Sequence, residues 1–227
     1  MTAALCFALD GVLVHRTRSD AAILRDVFVA HDIEPTESLL TTARDTFRKA
    51  FDALEPAPYR QSMAAALSAA DAAGSDAHTD DGSDVDPDAM VATLREATYD
   101  GTAVPDAARE SLAGLAADSA LAVITNGPHE WQVGKLEQHD LADRFDAVVA
   151  SYEVGAHVPD AAPFDRLRER LPADEYVMVG DSDAVEGARA AGFVPIEYVA
   201  GRSPAGTASG DQPRAGPDLW ATIDALL

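Results

Sequence analysis

Residues 120–127 read Ala120-Leu121-Ala122-Val123-Ile124-Thr125-Asn126-Gly127: five apolar residues in a row, then a hydroxyl, an amide and a glycine. A run this short and unbroken fits a strand buried on both faces, since a half-exposed strand would alternate. The same pattern recurs along the chain. Residues 3–9 are apolar up to Asp10-Gly11, 147–150 up to Ser151, and 176–179 up to Gly180-Asp181, with 194–199 a further candidate. Helical periodicity falls between these runs, over 105–117, 130–139, 161–170 and 184–191. Strand and helix in alternation predict βαβ units on a parallel sheet. Ligands of such sheets sit beyond the carboxyl ends of the strands, which is where the polar closing residues fall.

Between the first two strands lie over a hundred residues with no convincing strand. Helices are expected over 19–31, 42–54, 59–70 and, more briefly, 90–97, so residues 16–98 read as an inserted α-helical cap. The core is then built from 1–15 and 99–227, and the fold class is α/β with a Rossmann-like parallel sheet. Residues 71–88 are rich in Asp, Gly and Ser and nearly free of large apolar side chains, as a solvated flexible loop would be. Their carboxylates superficially resemble a calcium loop, but the spacing and closing Glu of an EF-hand are absent. A second flexible stretch is expected over 201–217 and a short closing helix over 218–227.

Charge narrows the function. Against 39 acidic residues stand 17 basic ones, for a net charge of −22, and only Lys49 and Lys135 are lysines. Carboxylates hold water while concentrated salt screens their repulsion, so this surface suits a halophilic source. The same field opposes nucleic acid and anionic lipid, so neither is an expected partner. No apolar stretch approaches the roughly 20 residues needed to span a bilayer, and the N-terminus lacks a basic leader, which makes a cytoplasmic location the expectation. Cys6 is the single cysteine and lies in an apolar run, as a buried structural thiol would.

Taken together, four strand-end motifs resemble those of the haloacid dehalogenase superfamily, in particular phosphatase-like members with a helical cap. The first is Phe7-Ala8-Leu9-Asp10-Gly11-Val12-Leu13. Family members form an aspartyl-phosphate on the first Asp of that motif, and here the position is Ala8. The second Asp survives as Asp10, which the resemblance makes the general acid/base. The second motif is Thr125-Asn126-Gly127, continued by Gln132 and Lys135-Leu136; Thr125 and Asn126 would hold phosphoryl oxygens. The third is Val154-Gly155-Ala156-His157-Val158-Pro159-Asp160, with Val158 in place of the family's charge-offsetting Lys. His157 or Lys135 could replace that cation, although an exposed loop is the simpler home for His157 and a helix surface for Lys135. The fourth is Gly180-Asp181-Ser182-Asp183, shortened before Gly187-Ala188. Asp181 matches a magnesium ligand, and Asp183 is either a second acid or a helix N-cap.

The resemblance therefore implies a magnesium site at the backbone carbonyl of Asp10, at Asp181 and, where it substitutes for the second acid, at Asp183, weakened by the loss of the carboxylate at position 8. Losing a covalent nucleophile can cost on the order of 10⁶ in rate. The expected function is a hydrolase-like protein, catalytically impaired or inactive, that retains binding of a small phosphorylated molecule. The alternative is an active or weak magnesium-dependent phosphatase using Asp10 as acid/base. Substrate identity and oligomeric state are not encoded in any motif.

Overall fold

The computed structural model describes residues 3–72 and 85–198, together with Trp220 and Ile223. The expected loop at 71–88 therefore lies largely outside the described residues, as does the stretch 201–217. Of the closing segment, Trp220 and Ile223 are helical and buried.

The chain starts with β1 (Ala3–Phe7) and a two-residue strand β2 (His15–Arg16), then enters four helices. These are α1 (Asp20–Ala30), α2 (Glu37–Asp52), α3 (Pro58–Ala72) and α4 (Pro87–Asp100). A second two-residue strand, β3 (Thr102–Ala103), precedes α5 (Asp106–Leu115), β4 (Ala120–Thr125) and α6 (His129–Gln138). After a 3₁₀ turn come β5 (Ala147–Ala150), the single turn α7 (Ser151–Val154) and α8 (Ala161–Arg170). The chain closes with β6 (Glu175–Gly180), α9 (Ser182–Ala190) and β7 (Val194–Glu197). Two compact units result: Met1–Arg16 with Ala103–Leu227, and Thr17–Thr102.

In the first unit, five parallel strands lie in the order β5-β4-β1-β6-β7. Side chains alternate across this sheet, and both faces are covered. Leu5, Phe7 and Leu9 of the first apolar run join Leu121, Val123, Val177 and Val179 in one core, against Leu112 of α5, Leu136 of α6 and Trp220. Ala4 and Cys6 face the other way with Ala122, Ile124 and Met178, against Phe164 of α8 and Ala184 and Ala188 of α9. Burial pushes the Cys6 thiol far above its ordinary pKa, so it stays protonated and inert, as its apolar run suggested. Chain order runs outward from β1 through β4 to β5, then returns to β6 on the opposite side. The sheet's topological switch point is the carboxyl end of β1.

The helical unit carries its own apolar stripes and caps. Thr36 caps α2 by accepting the Leu39 N–H at 3.3 Å, which starts that helix five residues ahead of the expected 42. Asp86 caps α4 with Pro87 at its first position, so α4 spans 14 residues where a shorter helix at 90–97 was expected. Because α4 continues to Asp100, this unit ends at Thr102, beyond the expected boundary at 98. The Ser62 hydroxyl donates to the Ala43 carbonyl at 2.8 Å, tying α3 to α2, and His31 meets Thr93 at 3.0 Å, tying α1 to α4. No helix among the described residues is long and apolar enough to cross a membrane.

One packing contact sets a sign that propensity alone would get wrong. Alanine is favoured over glycine inside a helix by about 1 kcal/mol. A Cβ on Gly187 of α9, however, would lie 2.6 Å from Phe164 Cε2 and 2.7 Å from the Pro159 carbonyl oxygen. Overpacking of this kind costs about 1–3 kcal/mol and a backbone oxygen cannot swing aside. Gly187→Ala should therefore lower stability by about 1 kcal/mol or more, read as a reduced midpoint in denaturant unfolding.

Candidate active site

Two ladders fix the backbone at the end of β1. Phe7 pairs with Val123 on one side and Val179 on the other, and the Ala8 N–H continues the second ladder to the Val179 carbonyl at 2.8 Å. The next residues form a tight turn. Gly11 has φ +82°, a conformation glycine adopts without strain, and donates to the Val14 carbonyl at 2.8 Å. Leu9 accepts from both Leu13 and Val14 at 3.0 Å. The turn buries Leu9, Val12, Leu13 and Val14 and leaves Asp10 pointing outward. His15 is buried behind it, within 3.2 Å of the Val12 carbonyl.

Lys135 defines the electrostatics of this turn. Its ammonium lies 2.8 Å from both carboxylate oxygens of Asp10, a pairing across 125 residues. Lys135's side chain is 5% exposed and Asp10's 38%, so the cation is the desolvated partner. The expected helix-surface position for Lys135 is therefore corrected. On α6, Lys135 falls on the buried stripe with Trp131, Gln132 and Leu136, and an ammonium buried there needs a counter-charge. That i, i+1, i+4, i+5 stripe was present in the sequence and could have located Lys135.

The other motif residues are drawn into different partnerships. Thr125 is buried at the end of β4. Asn126 accepts the Val158 N–H at 2.9 Å and donates to the Val158 carbonyl at 3.4 Å, so its amide braces the third-motif loop and is not turned to a phosphoryl group. Gln132 donates to the Asn126 carbonyl at 2.8 Å, and the Gly127 N–H donates to Ser151 at 2.8 Å. Val158 packs its side chain into the core that contains Phe164. His157, expected in an exposed loop, is half-buried with its ring edge-on to Tyr152. Asp181 is the N-cap of α9 and accepts the Ala184 N–H at 3.0 Å. The capping alternative weighed for Asp183 thus belongs to Asp181, and Asp183 is an exposed residue of the first turn.

Magnesium requires near-octahedral oxygen ligands. Here position 8 offers a methyl group, which leaves the Asp10 backbone carbonyl and the Asp181 carboxylate, one of whose oxygens accepts the Ala184 N–H. Among the described residues no three His, Cys, Asp or Glu side chains gather closely enough to hold a metal, so the Asp10, Asp181 and Asp183 carboxylates form no metal cluster by themselves. One carboxylate short, this donor set holds magnesium poorly without oxygens supplied by a ligand.

Beyond the ends of β4 and β5 a cavity of about 570 Å³ is lined by Pro128, His129, Glu130, Tyr152, Glu153 and Arg170. Sequence reading had not singled it out. Glu153 there is paired with Arg170, with Arg166 at 3.8 Å and with His129 at 3.5 Å.

A haloacid dehalogenase-like hydrolase family profile matches residues 2–192. The chain belongs to that family. Its fold is similar to the 2-haloacid dehalogenase of Pseudomonas syringae pv. Tomato, at 26% identity and TM-score 0.64, over 100% of this chain and 98% of that one. A putative β-phosphoglucomutase from Thermotoga maritima aligns over 100% of both chains at 19% identity and TM-score 0.64. A putative hydrolase of the superfamily from Bacillus subtilis, solved bound to magnesium, aligns at 20% identity and TM-score 0.58, over 86% of this chain and 85% of that one. No curated protein matches the chain in sequence.

Two outcomes follow from the turn. Asp10→Asn leaves a buried ammonium unpaired and should cost about 3–5 kcal/mol. Lys135→Met leaves a carboxylate that water can reach, and should cost about 1 kcal/mol or less. A double-mutant cycle in chemical denaturation should show this asymmetry, with the double variant more stable than Asp10→Asn alone. Acid is the second probe. Burial holds His15 below its ordinary pKa, and burial with the Arg109 charge does the same to His139. Both are neutral in the folded chain while the unfolded chain begins to take up protons near pH 6.5. Their contribution to stability is intact above about pH 6.5 and is lost as pH falls through the lowered folded values. His15→Gln should flatten part of that acid slope, as measured by unfolding midpoints across the pH range.

Proposed function

We propose that this protein is a non-catalytic member of the hydrolase family, a pseudo-phosphatase that binds a small phosphorylated molecule without turning it over. The observation that carries this reading is the pairing of a methyl group at Ala8 with a Lys135 ammonium committed to Asp10. A methyl cannot attack phosphorus, and the acid/base at Asp10 has no covalent intermediate to clear. Loss of such a nucleophile removes on the order of 10⁶ in rate, more than positioning by the remaining groups restores. The ligand class rests on what survives at the strand ends, namely Thr125, a buried lysine and the backbone of the Gly127 loop. The acidic composition supports a salt-adapted source and argues against nucleic-acid or membrane partners.

A second reading is a slow hydrolase in which Asp10 activates water directly. What favours it is that Asp10 is both oriented by Lys135 and open to solvent. The two separate in an assay with p-nitrophenyl phosphate in multimolar KCl, with and without magnesium. The native chain is expected to show no turnover above buffer, and Ala8→Asp, alone or with Val158→Lys, to gain it. Turnover by the native chain that Asp10→Asn abolishes would establish the hydrolase instead.

A further inference from the structure

The three acids that the resemblance assigns to this strand end already have a partner or stand apart. Asp10 receives Lys135 at 2.8 Å through both oxygens, and Asp181 receives the Ala184 N–H at 3.0 Å. Asp183 stays exposed on the first turn of α9, and the three form no metal-binding group. At position 8, where the family resemblance places a ligating carboxylate, the Ala8 methyl lies against the end of β6, 3.5 Å from where a Gly180 Cβ would stand. Lys135, by contrast, is built in. It is one of two lysines in the chain and is buried on α6 between Gln132 and Leu136. An ammonium stripped of water is stabilised by a fixed counter-charge such as Asp10, and a dication brought to the backbone carbonyl of that same residue meets its repulsion.

We infer that Lys135 supplies this site's positive charge in place of a divalent metal, so that the native chain does not take up magnesium and any anion it accepts is bound without one. The site carries its cation as part of the fold. The inference rests on the ion pair and the donor set, and holds whether or not the protein turns over a substrate.

Magnesium chloride titrated into the full chain by calorimetry, in KCl of constant ionic strength, tests it. The native chain should give no saturable binding. Ala8→Asp restores one oxygen donor and should bind magnesium measurably. Adding Lys135→Met to Ala8→Asp should tighten that binding by about tenfold or more, since one removed like charge is the whole difference. Circular dichroism confirms that each variant is folded. Saturable magnesium binding by the native chain overturns the inference, as does unchanged affinity on adding Lys135→Met. Magnesium binding without phosphatase activity would sink this inference and leave the pseudo-phosphatase reading standing. Metal-independent turnover would do the reverse.

Discussion

The central strand β1 is hydrogen-bonded on both edges and buried on both faces, and the rest of the site hangs from that constraint. A strand held by two parallel ladders cannot slip by one residue without exchanging the side chains that fill its two buried faces, Leu5 and Phe7 for Ala4 and Cys6, so its end is a fixed point. Ala8 extends the ladder to Val179, and the Gly11 turn then delivers Asp10 to a defined place. Backbone forces set this geometry, and none of them involves the side chain at position 8. The chemistry at that position can therefore change while the scaffold stays whole.

The ion pair between Asp10 and Lys135 belongs to a different electrostatic regime from the rest of the molecule. Surface pairs such as Arg60 with Asp88 are exposed on both sides and are screened by salt, contributing little. Lys135 is desolvated, so its attraction to Asp10 survives where surface charges are muted.

Several motif residues hold loops in place. Asn126 grips both backbone polar groups of Val158, linking the loop after β4 to the loop before α8. Asp181 satisfies an N–H at the start of α9, where a carboxylate also meets the favourable end of the helix dipole. The buried backbone around a strand-end site needs partners whatever the site does, and these side chains supply them.

Read alone, the sequence determined the sheet. Runs such as Ala120-Leu121-Ala122-Val123-Ile124 are too apolar to be half-exposed and too short to be buried helices, so their strand assignment follows from local chemistry. It also determined the motif order and the loss at Ala8 and Val158, because identity at a position requires no geometry. Helix starts in the inserted unit were less legible. Thr36 and Asp86 cap through hydrogen bonds that only the folded turn makes, while periodicity registers a helix after its first turn has passed. Tertiary structure decided the partners. Lys135 meets Asp10 across 125 residues and Asn126 meets Val158 across 32, separations over which sequence spacing carries no distance. Which of Asp181 and Asp183 caps α9 depended on where the helix begins, a matter of two residues that the folded chain decides.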